Sequence, residues 1–197
     1  MVSVCTENLD WVDKAAKDFT KVTVYNKCSN KLTFKSPNIF VQKIANIGSC
    51  DNAYLTYIIE RYDSLPDRVE FTKGSRPNKN NYLSCYNCTG NCEGSFNFKL
   101  NNWNFTNNPS QKFKFQKTSY KNMGDWIDNH KVLNKDMYTC CNNIIGGQFA
   151  VSRSQIKNTP LHTYIGLRSE QEYPNSEIDH YIERTWGSLF CHNYVNE

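Results

Sequence analysis

The chain has 197 residues, 39% of them hydrophobic and 21% charged, which is enough for one sizeable core and thin for two domains. No apolar run approaches the roughly 18–20 residues that a bilayer span needs, and the composition is too apolar for wholesale disorder. Lys and Arg number 23 against 19 Asp and Glu, a net charge of +4; the basic residues are scattered rather than striped, which argues against a duplex-DNA binder and suits an anionic ligand such as a nucleotide diphosphate.

Val2-Ser3-Val4-Cys5 is a short β-prone run. Glu7 and Asp10 follow where the apolar core of a signal peptide would continue, so no leader is expected. Thr6, Asn8 and Asp10 offer capping oxygens, and Leu9, Val12, Ala15 and Ala16 share one face of a helix running to Lys17. Lys21–Tyr25 reads as a strand, as does Phe40–Ile44. Asn46-Ile47-Gly48-Ser49 turns the chain into a helix from about Asp51 to Tyr62, with Leu55, Ile58, Ile59 and Tyr62 on its apolar face. Pro66 closes that helix. Arg68–Thr72 is a strand ending at Gly74. This alternation predicts a mostly parallel sheet with covering helices, whose ligands bind beyond the carboxyl ends of the strands.

From Arg76 to Asn122 the chain is rich in Asn, Lys, Ser and Tyr and reads as an irregular Cys-rich insertion, with half-exposed strands at Phe96/Phe98/Leu100 and Phe113/Phe115. Regular structure returns with a buried strand over Asn142–Val151 that bends at Gly146-Gly147. A helix starts at Ser152–Ser154 and is reset by Pro160. The last helix starts near Ser176, where Ser176-x-x-Asp179 forms a capping box, and its apolar face is Ile178, Tyr181, Ile182, Trp186 and Leu189.

Nine cysteines is an odd number. Without a leader, the simpler expectation is reduced thiols in a cytoplasmic compartment. Cys85-x2-Cys88-x3-Cys92 approaches zinc-ligand spacing, with a fourth ligand to come from Cys140, Cys141, His130 or Cys191. Free thiols or a disulfide are the alternatives for the same residues.

Asn46-Ile47-Gly48-Ser49, Ala53–Asp67 and Val69–Gly74, taken together, resemble the signature segment of the DUF3431 family of uncharacterised proteins. Glu7–Trp11 and Val24–Lys27 are similar to the start of that family, and Gly147–Arg153 and Glu183–Trp186 to its end. The resemblance extends to proteins of large algal viruses and, through them, to nucleotide-sugar glycosyltransferases of the GT-A type. It implies a single α/β domain of GT-A-like (Rossmann-like) fold over residues 1–197, with 76–122 as the insertion. It also implies a nucleoside-diphosphate sugar as donor, a glycan or glycoprotein as acceptor, Mn²⁺ or Mg²⁺ as cofactor, and the cytoplasm of a host cell as the place of action. Such enzymes usually carry Asp-x-Asp at a strand end to hold the metal; here Thr72-Lys73-Gly74-Ser75 stands there.

The candidate residues follow from these strand ends and from the last helix. Lys73 either meets the phosphates directly or is a solvated strand end. Asp51 reads first as a helix cap and second as a polar contact to the ligand. Thr6 and Glu7 could face a base or ribose, or cap the following helix, and Asn26 and Lys27 carry the same two readings. In the last helix, Glu183 or Asp179 could take the acceptor proton, and Arg184 or His180 could meet the departing diphosphate. A solvated charged face is the competing reading of that cluster. Two other functions remain open: a non-catalytic glycan-binding or scaffold relative, and a zinc-stabilised protein that stacks single-stranded nucleic acid on the aromatic residues of the insertion.

Overall fold

The computed structural model describes residues 1–75, 83–84, 116–130 and 147–190. Its strands and helices, in chain order, are β1 (Val2–Val4), α1 (Asp10–Ala15, continued by a 3-10 turn, Ala16–Asp18), β2 (Val22–Asn26), β3 (Ile39–Lys43), α2 (Cys50–Arg61), β4 (Arg68–Lys73), β5 (Leu83–Ser84), α3 (Met123–His130), β6 (Phe149–Ser152), α4 (Arg153–Lys157), α5 (Leu161–Ser169) and α6 (Glu177–Phe190). The fold is mixed α/β around one sheet of order β3-β2-β1-β4-β6-β5.

The first four strands in sheet order are parallel: β2 pairs with both β3 and β1, and β1 pairs with β4. The last two run the other way, because β6 is antiparallel to β4 and β5 is parallel to β6. The sheet is therefore mostly parallel, as the alternation of elements predicts. β2 is buried at all five positions, as expected of a strand covered on both faces. On one face Val2, Val4, Val22 and Val24 pack with Leu9, Val12 and Ala16 of the α1 region. On the other, Tyr25, Val69, Phe71, Phe149 and Val151 meet buried residues of α2, α3, α5 and α6.

The second face is dominated by aromatic residues. Trp186 stacks on Phe190 with ring centroids 5.5 Å apart and lies 5.4 Å from Phe149. Phe149 in turn sits 5.0 Å from Phe71 and 5.7 Å from Tyr54. Truncating a fully buried ring of this kind costs about 3–5 kcal/mol. The expected apolar face of α6 is the face that is buried. Its capping box also forms: the Ser176 amide donates to Asp179 Oδ2 (2.9 Å), and the Asp179 amide donates to Ser176 Oγ (3.3 Å).

Three expectations need correction. Cys5 and Cys28 form a disulfide, with their Cα atoms 4.7 Å apart, so this pair is not reduced. Cys50, the remaining cysteine among the described residues, is a free thiol. The cap of α2 is Ser49 rather than Asp51: its Oγ accepts from the Asp51 amide at 3.3 Å. A helix the sequence reading passed over, α3, follows the insertion, and Asn122 caps it through a 2.9 Å bond from the Asp125 amide. The expected strands around Phe96–Leu100 and Phe113–Phe115 lie outside the described residues, as does the strand start at 142–146. No helix among the described residues is long and apolar enough to cross a membrane.

Candidate functional site at the carboxyl ends of β1 and β4

The chain leaves β1 to build β2 and β3 on one side, then returns to place β4 on the other. The carboxyl ends of β1 and β4 therefore flank the point where strand order reverses, the usual ligand position in open α/β sheets. A cavity of about 260 Å³ opens there. Its lining includes Ser3, Cys5 and Glu7 from β1 and its exit, Lys27 beyond β2, Lys73 from β4, and Ser49 and Cys50 at the start of α2.

One side of the cavity is a braced turn. The Lys27 ammonium donates to the carbonyls of Ile47 (2.8 Å), Gly48 and Ser49 (2.6 Å). Burial lowers its pKa from the usual lysine value. Gly48 has φ +57° and passes so close to Gln171 that a Cβ would lie 2.8 Å from its amide nitrogen, which explains the glycine. The Gly48 amide donates to the Tyr173 carbonyl at 2.6 Å, and Gln171 donates to Asp179 Oδ1 at 2.8 Å. Lys27 thus holds the turn, while both Asp179 oxygens accept bonds that build the start of α6. Asp179 is buried, and burial raises its pKa.

On the other side Lys73 lines the cavity and joins it to a cluster of charges. Lys73 Nζ stands 3.7 Å from Glu183 Oε1, and Arg184 Nη1 lies 3.7 Å from Glu183 Oε2. Arg184 also donates to the His180 carbonyl at 2.8 Å. Behind this pair, Asp51 Oδ1 accepts from the Trp186 indole at 2.6 Å, and Oδ2 accepts from the Ser49 hydroxyl. Burial, reinforced by the nearby Glu183 carboxylate, raises the Asp51 pKa to about 6. Burial lowers the Lys73 pKa, but the surrounding acidic groups outweigh it and leave the ammonium above its ordinary value. Lys73 is therefore a cation at neutral pH. Burial also drives His180 down to about 4, so its ring is neutral there. The same effect pushes the Cys50 thiol up, away from thiolate.

Gly147, at φ +64°, completes this side: a Cβ on it would lie 2.6 Å from Lys73 Cε and 2.8 Å from Cys50 Sγ. Its carbonyl accepts from the Tyr54 hydroxyl.

The structure brings Lys73, Asp51, His180, Glu183 and Arg184 into one neighbourhood. Glu7 and Lys27 line the cavity, but Glu7 Oε2 is engaged by the Cys5 amide (2.7 Å). Asn26 is buried and donates to the Asn30 carbonyl at 2.6 Å, whereas Thr6 is exposed. Ser49, Cys50, Gly147 and Trp186 were missed as site residues. The paired glycines 146–147 and the Ser49 position before a helix were the signals present for two of them.

Glu183 and Asp51 do not fit a site for Mn²⁺ or Mg²⁺. Glu183 faces two cations and Asp51 is filled by indole and hydroxyl donors, and no group of three potential ligands forms among the described residues. Cys85, Cys88 and Cys92 lie outside the described residues, as do Cys140, Cys141 and Cys191. His130 is described, and its Nε2 meets Glu170 at 2.9 Å.

A family model described as "Protein of unknown function (DUF3431)" matches residues 1–87. The match supports the resemblance to that family over β1–β5, the part that carries the braced turn and Lys73. Gly147–Arg153 and Glu183–Trp186 fall beyond it. No curated protein and no solved structure matches the chain.

Proposed function

We propose that the protein is a glycosyltransferase that takes a nucleoside-diphosphate sugar into the cleft between β1 and β4. One observation carries this reading. A fixed cation, Lys73, and a carboxylate, Glu183, stand 3.7 Å apart at the point where strand order reverses, which is where open α/β sheets hold nucleotides. The choice of a nucleoside-diphosphate sugar as donor rests on the resemblance of the sequence to GT-A enzymes.

In this reading Lys73 faces the diphosphate. Glu183 takes the proton of an acceptor hydroxyl as its oxygen bonds to the anomeric carbon. The carbon–oxygen bond to the diphosphate breaks in the same step, and the electron pair leaves on a phosphate oxygen that Lys73 neutralises. Burial lowers the His180 pKa to about 4, which makes its ring a weak proton acceptor, and Arg184 is a cation that braces Glu183, so neither competes for the proton. The acceptor is a glycan or glycoprotein.

A thermal-shift panel of nucleoside-diphosphate sugars tests the proposal. At 100 times its dissociation constant a donor adds about 2.7 kcal/mol of stability. For a chain of this size that is roughly 5–11 °C. Release of free nucleoside diphosphate on adding acceptor should follow. If no nucleotide sugar shifts the melting temperature, the transferase reading fails. A shift without turnover on any acceptor would mark a binding module instead.

A further inference from the structure

A second cavity of about 260 Å³ lies on the other side of the segment that walls the cleft. Pro174 lines the cleft and its neighbour Tyr173 lines the second cavity, so one segment borders both. We propose that this second cavity binds a neutral saccharide and is the acceptor subsite. The acceptor role rests on the transferase reading; the saccharide class rests on the cavity itself.

The walls are built and fastened. Residues 116–120 are tied to the start of α6 by a parallel bridge, in which the Gln116 amide donates to the Asn175 carbonyl and the Glu177 amide to the Gln116 carbonyl, both at 2.9 Å. The Thr118 amide donates to Glu177 at 3.2 Å. Tyr120 packs edge-on against His130, with centroids 6.0 Å apart, and His130 is locked to Glu170 at 2.9 Å. A cavity whose groups are already ordered loses little freedom when it binds.

The lining chemistry selects the ligand. Tyr173 is 48% exposed and offers an aromatic face, and Tyr120 offers a second ring. Aromatic faces accept the C–H side of a sugar ring, as they accept other flat or weakly polarised partners. Carboxylates and hydroxyls at the rim accept and donate the bonds that sugar hydroxyls need: Glu170, Glu172 and Ser119 are present. Lys117 is accompanied by two carboxylates, and Glu170 is already engaged by His130 and by the Trp126 indole at 3.4 Å. An anion would meet those carboxylates, and an apolar ligand would strand the polar rim. A neutral polyhydroxylated ligand satisfies both.

Saturation-transfer NMR on the full chain tests this, with maltotetraose, cellotetraose, chitotetraose and mannotetraose as probes. At least one should receive saturation from wild-type protein. Tyr173→Ala and Glu172→Gln should each weaken its binding about ten-fold or more, the effect of losing a charged-group hydrogen bond or an aromatic platform. The melting temperature of each free variant reports that it is folded, since the Tyr173 contact to Gly48 is made by backbone and survives substitution. No transfer from any of the four probes, or equal transfer in wild type and both folded variants, overturns the inference. The donor panel is read separately on wild-type protein. Saccharide binding with no nucleotide-sugar response would retain the cavity as a glycan site and overturn its acceptor role.

Discussion

The indole of Trp186 donates to the carboxylate of Asp51 at 2.6 Å across 135 residues of sequence. The bond ties the first turn of α2 to the middle of α6, and both residues are buried. Because Glu183 lies on the same helix, one turn before Trp186, the bond sets where Glu183 stands relative to Lys73. A side chain in the aromatic core thus positions Glu183 beside Lys73, which lines the cleft.

Glu183→Gln keeps the size of the side chain and cannot take a proton. Transfer should fall about 10²–10⁴-fold, while donor affinity stays within a few-fold. Single-turnover assays beside a donor titration check this. Residual turnover that merely follows the amount of folded protein would make Glu183 structural.

In the transferase reading, Lys73→Ala removes the cation set to meet the diphosphate. Nucleotide-sugar binding should weaken by about 1.5–3 kcal/mol, and chelator should have little effect on the wild type. Calorimetric titration with and without chelator decides. Unchanged affinity, together with loss of activity in chelator, would move the phosphate contact elsewhere.

Gly147→Ala should be felt out of proportion to one methyl group. The site needs a left-handed backbone, and the added carbon would collide with Lys73 and Cys50. A loss of about 1–3 kcal/mol is expected. That corresponds to roughly 2–12 °C in melting temperature, with donor affinity reduced because Lys73 must move. A variant as stable as wild type would show that the turn relaxes.

Asp51 and His180 should pull stability in opposite directions with pH. Asp51 has a folded pKa of about 6 against an ordinary 3.8, so the native state holds its proton longer than the unfolded chain. Its contribution is greatest at low pH and is lost as pH rises through that window. His180 has a folded pKa of about 4 against 6.5, so its contribution is present above that range and lost as pH falls. Lys73, Arg184 and Glu183 face both groups. Asp51→Asn should leave the His180 trend unopposed, and denaturant unfolding should then show stability climbing more steeply between about pH 4 and 6 than in wild type. Superimposable profiles would show that Asp51 does not titrate there.

The Cys5–Cys28 disulfide closes a loop with a sequence separation of 23 beside the cleft. Reduction, or Cys5→Ser with Cys28→Ser, should lower stability by about 3 kcal/mol through the unfolded chain. Melting with and without reductant measures it, and no difference would mean that the bond constrains little.

Much of the fold was legible because its signals are local. The i, i+3, i+4 face of α2, the Ser176–Asp179 capping box and the β-branched strand of Val22–Val24 are each written within a few residues. α3 was also written locally, in Asn122-x-x-Asp125 followed by Trp126 and Ile127, but it lies just beyond the polar insertion and was passed over. Asp51 was placed as a cap because an acidic residue before an apolar run usually is one. Its partner Trp186 is far along the chain, and no periodicity records such a pairing. The Lys27 brace was hidden for the same reason: three carbonyls of a turn carry no sequence signature. Glu183 and Lys73 were each singled out, yet their meeting depends on how α6 crosses the sheet.

The antiparallel pairing of β4 with β6 has a consequence for how the chain is made. Val69 and Phe71 belong to a strand whose second neighbour, Phe149–Ser152, is translated much later. At about 5–20 residues per second the wait is roughly 4–16 s. During that time the first three strands and α1 can assemble, while one side of β4 presents unpaired amides and apolar side chains. Contacts of such long sequence separation form late, and an open strand edge is an aggregation hazard. Slow synthesis or truncation before β6 should therefore reduce soluble yield more than loss of a surface helix would.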